Sequence, residues 1–190
     1  MTNQLTAYLE LFHTISDDDK ILISTAFEGR TLTEGDYLFH PERICKELFF
    51  VCNGILRIVV QTEKGGQITH FFLRENQFCT ILKSFNNQII SAEGIQAACD
   101  VKVLAISRSG LLVLYEKVPY LKGLIDQITQ QALIDKIELR NSYLGLDASA
   151  RYKLFLVQQA NVAMRVPLSD VASYLGITPQ SLSRIRKNIR

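Results

Sequence analysis

No stretch of this 190-residue chain approaches the roughly 18 consecutive apolar residues that cross a bilayer, so no membrane partner is expected. The N-terminus, MTNQLTAYLELF, lacks a basic stretch followed by an apolar core. No secretory signal is read there, and a cytoplasmic location is expected. The four cysteines, Cys45, Cys52, Cys79 and Cys99, form no CxxC pair. Buried, reduced thiols are the expectation, and a metal or iron–sulfur cluster has no support. His13, His40 and His70 show no ligand spacing, so no metal site is expected. GxGxxG and P-loop motifs are absent, which leaves a nucleotide-dependent enzyme without an anchor. No Ser/His/Asp or Cys/His arrangement is readable either. The chain is expected to be no enzyme, to have no catalytic residues and to need no cofactor.

What is present is a soluble globular composition, 47% apolar and 21% charged, with chain enough for one or two domains. The net charge of +2 hides an asymmetry. Residues 151–190 carry Arg151, Lys153, Arg165, Arg184, Arg186, Lys187 and Arg190 against Asp170 alone. Residues 1–150 hold fourteen basic and eighteen acidic residues. A basic terminal segment is the electrostatic footprint of a phosphate-backbone partner.

That segment contains the most informative stretch, LSDVASYLGITPQSLSRIRKNIR (168–190). It predicts two short helices joined by a tight turn. Val171 and Leu175 lie four apart and share one helix face, with small Ala172 between them. Gly176 stands where the first helix should stop, because glycine accepts the left-handed conformation. Ile177 is an apolar plug. Thr178 caps the second helix and Pro179 suits its first position. Leu182 and Ile185 point back toward the first helix. Thr178, Gln180, Ser181, Ser183, Arg184, Arg186 and Lys187 remain as candidate DNA contacts. This is the layout of a helix-turn-helix: an apolar seam behind a hydrogen-bonding face that fits the major groove. An ordinary antiparallel helix pair would leave such a face merely solvated.

Upstream, residues 5–29 read as helical turns with Leu5, Leu9, Phe12, Ile21, Leu22 and Phe27 apolar. Ser16 and Asp17–Asp19 suit a helix start, where carboxylates favour the dipole. Residues 30–110 read as short β-rich runs at the spacing of a sandwich or barrel, with Glu63-Lys64-Gly65-Gly66 as a hairpin turn. Residues 118–146 switch to helical periodicity. Leu121, Leu124, Ile125, Ile128, Ala132, Ile134 and Ile137 form an apolar stripe that suits either the chain's own core or a two-helix seam. A two-fold partner is favoured, which makes a homodimer through Leu121–Ile137 the expectation. Gly145 and Asp147 mark a break before a helix from about Ala148 to Gln159.

Three segments together resemble the Crp/Fnr transcription regulators, relatives of the cyclic-AMP receptor protein. LFFVCNGILRIVVQTEKGGQITHFFLRENQF (48–78) resembles the family's β-roll, with Gly54 and Arg57 in a Gly-x-x-Arg pattern. LDASARYKLFL (146–156) resembles the start of its DNA domain, and VPLSDVASYLGITPQSLSRIRK (166–187) its helix-turn-helix. The resemblance implies an α+β fold: an N-terminal antiparallel β-roll of the cyclic-nucleotide-binding kind over residues 1–117, a long dimerisation helix over 118–146 and a helix-turn-helix domain over 147–190. It implies a regulator that binds double-stranded DNA as a dimer, with RNA polymerase as a further partner.

Two departures accompany the resemblance. Cyclic-nucleotide-binding members carry a Gly-Glu pair followed by an Arg-Ser pair. The matching stretch here, FCTILKSFNNQIISAEG (78–94), has Thr80 and Ile81 at the first and Ile90 and Ser91 at the second, with Lys83 its one cation. A buried cyclic phosphate needs a charge-assisted partner, usually Arg. Any effector in the roll is therefore expected to be something other than a cyclic nucleotide. In the second helix, Thr178, Pro179 and Gln180 replace the family's serine-arginine-glutamate run, and Arg184 matches its later arginine. A protein-interaction module without DNA binding is the competing reading. A cupin-type metalloenzyme would need clustered His and Glu ligands, and the β-region offers His40 and His70.

Overall fold

A computed structural model of the chain describes residues 2–62 and 65–189. Two helices open it, α1 (Thr2–Leu9) and α2 (Asp17–Ala26). Ser16 caps α2 by accepting the Asp19 N–H at 3.1 Å, and Asp17–Asp19 occupy the first turn. Among the described residues ten strands follow: β1 (Glu28–Leu32), β2 (Tyr37–Phe39), β3 (Arg43–Ile44), β4 (Glu47–Asn53), β5 (Leu56–Gln61), β6 (Gln67–Leu73), β7 (Phe78–Cys79), β8 (Ile90–Ser91), β9 (Glu93–Ala97) and β10 (Val101–Ser107). A short helix, α3 (Leu82–Asn87), interrupts them. They pair antiparallel in the orders β1-β10-β4-β7, β2-β9-β5-β6 and β3-β8.

The two larger sheets bury a shared interior of Phe49, Val51, Leu56, Leu73, Ile95 and Val103. Cys45 and Cys79 lie in that interior, and burial pushes the Cys79 thiol up to about 12. Gly54, at φ +93°, turns the chain from β4 into β5. A Cβ there would collide with the Asp100 carbonyl and Val101, so the position admits no side chain. Strands β5 and β6 pair down to Gln61 opposite Gln67. Of the hairpin turn expected at 63–66, Glu63 and Lys64 lie outside the described residues.

The helices that follow are α4 (Arg108–Lys117), α5 (Tyr120–Ser142), α6 (Ala148–Gln158), α7 (Ala160–Arg165), α8 (Leu168–Tyr174) and α9 (Pro179–Ile189). The fold is α+β, with a β-roll, a long helix and a C-terminal helical group. The β-region ends at Ser107, three residues earlier than the composition suggested, because the Ser107 hydroxyl accepts the Gly110 N–H at 3.0 Å and starts α4. Among the described residues no helix is long and apolar enough to cross a membrane.

The stripe on α5 requires a correction. Leu121, Leu124, Ile125 and Ile128 are buried within the chain itself, in one core with Leu5, Leu9, Phe50, Leu111 and Leu114. They cannot form a seam with a second copy. Exposed apolar residues begin one turn later, at Leu133, Ile134 and Ile137. A 3.6-residue periodicity identifies an apolar face without saying whose surface covers it. Replacing Ile128 by Ala should lower the unfolding free energy by about 2–5 kcal/mol, read by urea denaturation. A loss below about 1 kcal/mol would contradict this placement.

Candidate nucleic-acid interface and its anchorage

Helices α8 and α9 form the pair read from residues 168–190. Val171 and Ala172 are fully buried, and Leu175 and Leu182 nearly so. Gly176 adopts φ +67°, its N–H reaching the Ser173 carbonyl at 3.1 Å while Ile177 N–H reaches that of Ala172 at 3.0 Å. Two carbonyls at the end of α8 are thereby satisfied. Thr178 Oγ1 accepts the Ser181 N–H at 3.1 Å and caps α9, and Pro179 takes its first position.

With these residues facing inward or engaged in the cap, the outer face of α9 is polar. Thr178, Gln180, Ser183, Arg184 and Lys187 are exposed, and Ser181 and Arg186 half-buried. All seven candidate contacts therefore lie on or beside one accessible face. Among the described residues none of Arg184, Arg186 and Lys187 is in an ion pair. The Thr178 hydroxyl also donates to Ser181 Oγ at 3.0 Å, so these two act first as the cap of α9.

The opposite side of the pair is anchored to the roll. Arg57, on β5, extends a buried guanidinium whose Nη1 donates to Asp170 Oδ1 on α8 at 2.7 Å and to Thr69 Oγ1 at 3.1 Å. Its Nε and Nη2 donate to Gln96 Oε1 at 3.0 and 2.6 Å, and Nη2 to Gln67 Oε1 at 2.7 Å. All five N–H donors of the guanidinium are thus used. Burial pushes the Asp170 carboxyl above the usual carboxylate range, and the adjacent Arg57 offsets this in part.

Two further bridges flank the pair. Ser173 Oγ accepts the Thr69 N–H at 2.9 Å and donates to the Gln67 carbonyl at 3.1 Å, docking α8 on the edge of β6. Arg165 of α7 donates to Glu75 Oε1 at 2.7 Å, an oxygen that also accepts the Gly54 N–H at 2.7 Å. Burial alone would raise the Glu75 carboxyl, but hydrogen bonds from Arg165, its own backbone and Gly54 hold it below its ordinary value. Apolar contact completes the junction: Ile55, Phe72 and Ala98 of the roll share a core with Phe155, Val171 and Leu182, and the Phe72 and Tyr174 ring centroids are 5.2 Å apart.

With this geometry, residues 29–118 match the cyclic nucleotide-binding domain family. No curated protein matches the sequence. Solved structures do match in three dimensions. A protein of the crp/fnr family from Eubacterium rectale aligns over 96% of this chain and 87% of its own with a TM-score of 0.72 at 17% identity. CLP of Xanthomonas campestris, a c-di-GMP responsive global regulator, aligns over 92% and 91% with a TM-score of 0.70 at 13% identity. The catabolite activator protein of Thermus thermophilus aligns over 94% and 85% with a TM-score of 0.56 at 18% identity.

The chain has the fold of the CRP/FNR regulators.

Within that fold, residues 78–94 form β7, α3, β8 and the start of β9. Ile81 is buried, but Leu82, Ile89 and Ile90 are exposed, so these three do not fill the interior of the roll. Ser84 ties this loop down, accepting the Cys45 N–H at 2.8 Å and donating to the Ile89 carbonyl at 2.5 Å. Lys83 is exposed. A different cation, Lys136 of α5, approaches the interior instead. It is half-buried, its Nζ lies 5.5 Å from the Phe71 ring centre, and burial lowers its pKa. Among the described residues no group of three or more His, Cys, Asp or Glu side chains is placed to hold a metal.

Arg57→Ala would leave the Asp170 carboxyl buried without its cation. It should cost about 3–5 kcal/mol of stability, with amide hydrogen exchange rising first in Leu168–Tyr174. Unchanged protection of that segment would show that the ion pair does not hold the junction.

Proposed function

We propose that this chain is a DNA-binding transcription regulator that reads the major groove with α9. The observation that carries the proposal is the outer face of α9: Gln180, Ser183, Arg184 and Lys187 exposed together, on a helix whose opposite face is anchored. A rigid helix with donors on one side suits base-edge recognition, whereas a solvated surface needs no such division. The fold shared with CRP/FNR regulators supports the same reading. Gln180, Ser181 and Arg184, near the helix start, are the base-reading residues. Gln pairs with adenine, and Arg pairs with guanine through two parallel bonds. Thr178, Ser183, Lys187 and Arg186 are placed for phosphates. Residues 1–117 then act as the sensing roll, 118–146 as the linking helix and 147–190 as the DNA-binding part.

A two-fold partner follows from the same reading. The exposed Leu133, Ile134 and Ile137 are the apolar part of α5 available to a second copy, 45%, 48% and 51% accessible. A seam there would set two α9 helices roughly 34 Å apart, opposite half-sites about 10 base pairs apart. The effector is proposed to be other than a cyclic nucleotide. Residues 78–94 offer a cyclic phosphate Lys83 as their one cation, and that side chain faces solvent.

Selection of bound sites from random duplex DNA supplies an operator. On it, Arg184→Ala should lose about 1–3 kcal/mol and relax one base position, and Lys187→Ala should weaken all sequences alike and flatten the salt dependence. No salt-dependent duplex binding by the unaltered chain would favour a protein-interaction module instead. Ile134→Asp should convert a dimer to a folded monomer in sedimentation at micromolar concentration. An unaltered chain that is monomeric yet binds the operator at full affinity would overturn the seam.

A further inference from the structure

Two groups of large apolar side chains stand in solvent at places that neither the DNA-reading face of α9 nor the α5 seam uses. The first is on the N-terminal helix pair, where Leu11, Phe12 and Ile21 are 76%, 50% and 62% accessible. The turn that carries Leu11 and Phe12 is fixed. The Phe12 and His13 N–H groups return to the Leu9 carbonyl at 3.0 and 3.2 Å. Glu10 is ion-paired with Lys20 at 2.7 Å, which closes the turn onto α2 beside Ile21. His13 lies over Tyr120, with ring centres 4.4 Å apart. Leu9 and Ile15, on either side of the turn, are buried in the core. The chain therefore folds the neighbouring apolar side chains inward and holds these three outward. Apolar side chains grouped on an ordered surface mark a contact site more often than scattered ones do.

The second group is on α6 and α7, where Val157 and Met164 are accessible to about 80%. Gln159 joins these helices, its N–H on the Phe155 carbonyl at 2.8 Å and its own carbonyl accepting the Ala163 N–H at 2.9 Å. The charges around the two groups are opposite. Residues 10–20 hold Glu10, Asp17, Asp18 and Asp19 against Lys20. Asp17 and Asp18 are exposed, and Asp18 is in no ion pair among the described residues. Lys153 is exposed one turn before Val157, likewise unpaired among those residues, and no acid stands between Asp147 and Asp170. The two groups do not cover each other within one chain, since both are exposed. Their helices are nonetheless neighbours. Gln4 of α1 donates to Asn76 Oδ1 at 3.1 Å, and Arg165 of α7 donates to Glu75 Oε1 at 2.7 Å, adjacent residues of the roll.

We propose that a second copy of this chain docks on these faces reciprocally, the Leu11–Phe12 turn and Ile21 of each copy against Val157 and Met164 of the other, with Asp18 opposite Lys153 at the rim. Acidic and basic apolar faces on one molecule are complementary to each other, and side by side they allow a two-fold contact in which each face is used once. At roughly 100 Å² apiece, five such side chains cover less than the about 800 Å² that each partner buries in a standard interface. The association is accordingly weak, with a dissociation constant of about 100 μM. It is a contact separate from the α5 seam and needs no DNA.

Sedimentation of the full chain carrying Ile134→Asp tests this, because that substitution removes the α5 seam, and the outcome reads the same whether or not α5 pairs. The chain should be mostly monomeric at about 5 μM and mostly dimeric at about 500 μM, and about 0.5 M salt should weaken the association severalfold. Leu11→Ser with Phe12→Ser should abolish it, as should Val157→Ser with Met164→Ser. These positions are exposed, so circular dichroism should show the fold unchanged. Asp18→Lys and Lys153→Asp should each weaken self-association about fivefold or more. An equimolar mixture of those two chains should restore it to within about twofold, because both rim pairs are then re-formed between unlike copies. A chain that stays monomeric at about 500 μM overturns the proposal and leaves these faces to a different protein. So does association unchanged in the serine variants, a mixture no stronger than its separate components, or a series of species growing past two copies.

Discussion

The buried bond between Arg57 and Asp170 is the constraint on which the arrangement of this molecule depends. It joins two residues 113 positions apart, one on the roll and one on the first helix of the C-terminal pair. Such pairs contribute little net stability, because removing two charges from water costs nearly as much as their attraction returns. Their contribution lies in position. A guanidinium with all five donors engaged accepts one placement of its partner carboxylate, and Asp170 cannot shift by an ångström without leaving a buried charge bare. Ser173 against β6 and Arg165 against Glu75 add two further points of attachment. Two of these points lie on α8 and one on α7, so the C-terminal helices are held in orientation as well as in distance.

Anchorage on one side and polarity on the other explain each other. The only acid in residues 151–190, Asp170, faces the roll, and its charge is matched there. The cations at Arg184 and Lys187 face solvent, so the outward field of this end of the molecule is positive. That division makes a surface suited to polyanions. It also places the long helix and the roll where a change in either would be felt by α8 directly, through contacts and not through a flexible tether.

How much of this was legible in the sequence follows from the range of the interactions. The α8–α9 pair was readable almost residue by residue, since Val171, Ala172, Leu175, Gly176, Thr178, Pro179 and Leu182 act on near neighbours through helix spacing, capping and one left-handed turn. The roll was readable as strands, because alternating β-rich runs and glycine turns are also local. The junction was not. Nothing in the local pattern around Asp170 names Arg57 as its partner, although one carboxylate among seven cations was a sign that it answered to something distant. The stripe on α5 was seen, but the whole of Leu121–Ile137 was credited to a second copy, whereas its first half is covered by the chain's own N-terminal helices, β4 and α4. The approach of Lys136 to the roll interior is a product of tertiary packing that no spacing rule reports.

The core shared by Ile55, Phe72 and Ala98 with the C-terminal helices bears on how the molecule comes apart. A C-terminal group with a closed core of its own could melt or be cleaved away while the rest persisted. Here Phe155, Val171 and Leu182 share their core with Ile55, Phe72 and Ala98 of the roll, so separating the two parts uncovers apolar surface on both. The stability of each part is accordingly coupled to that of the other. Damage to the roll then registers at the far end of the chain as lost structure, and a substitution in a strand can silence α9 without touching any residue near it.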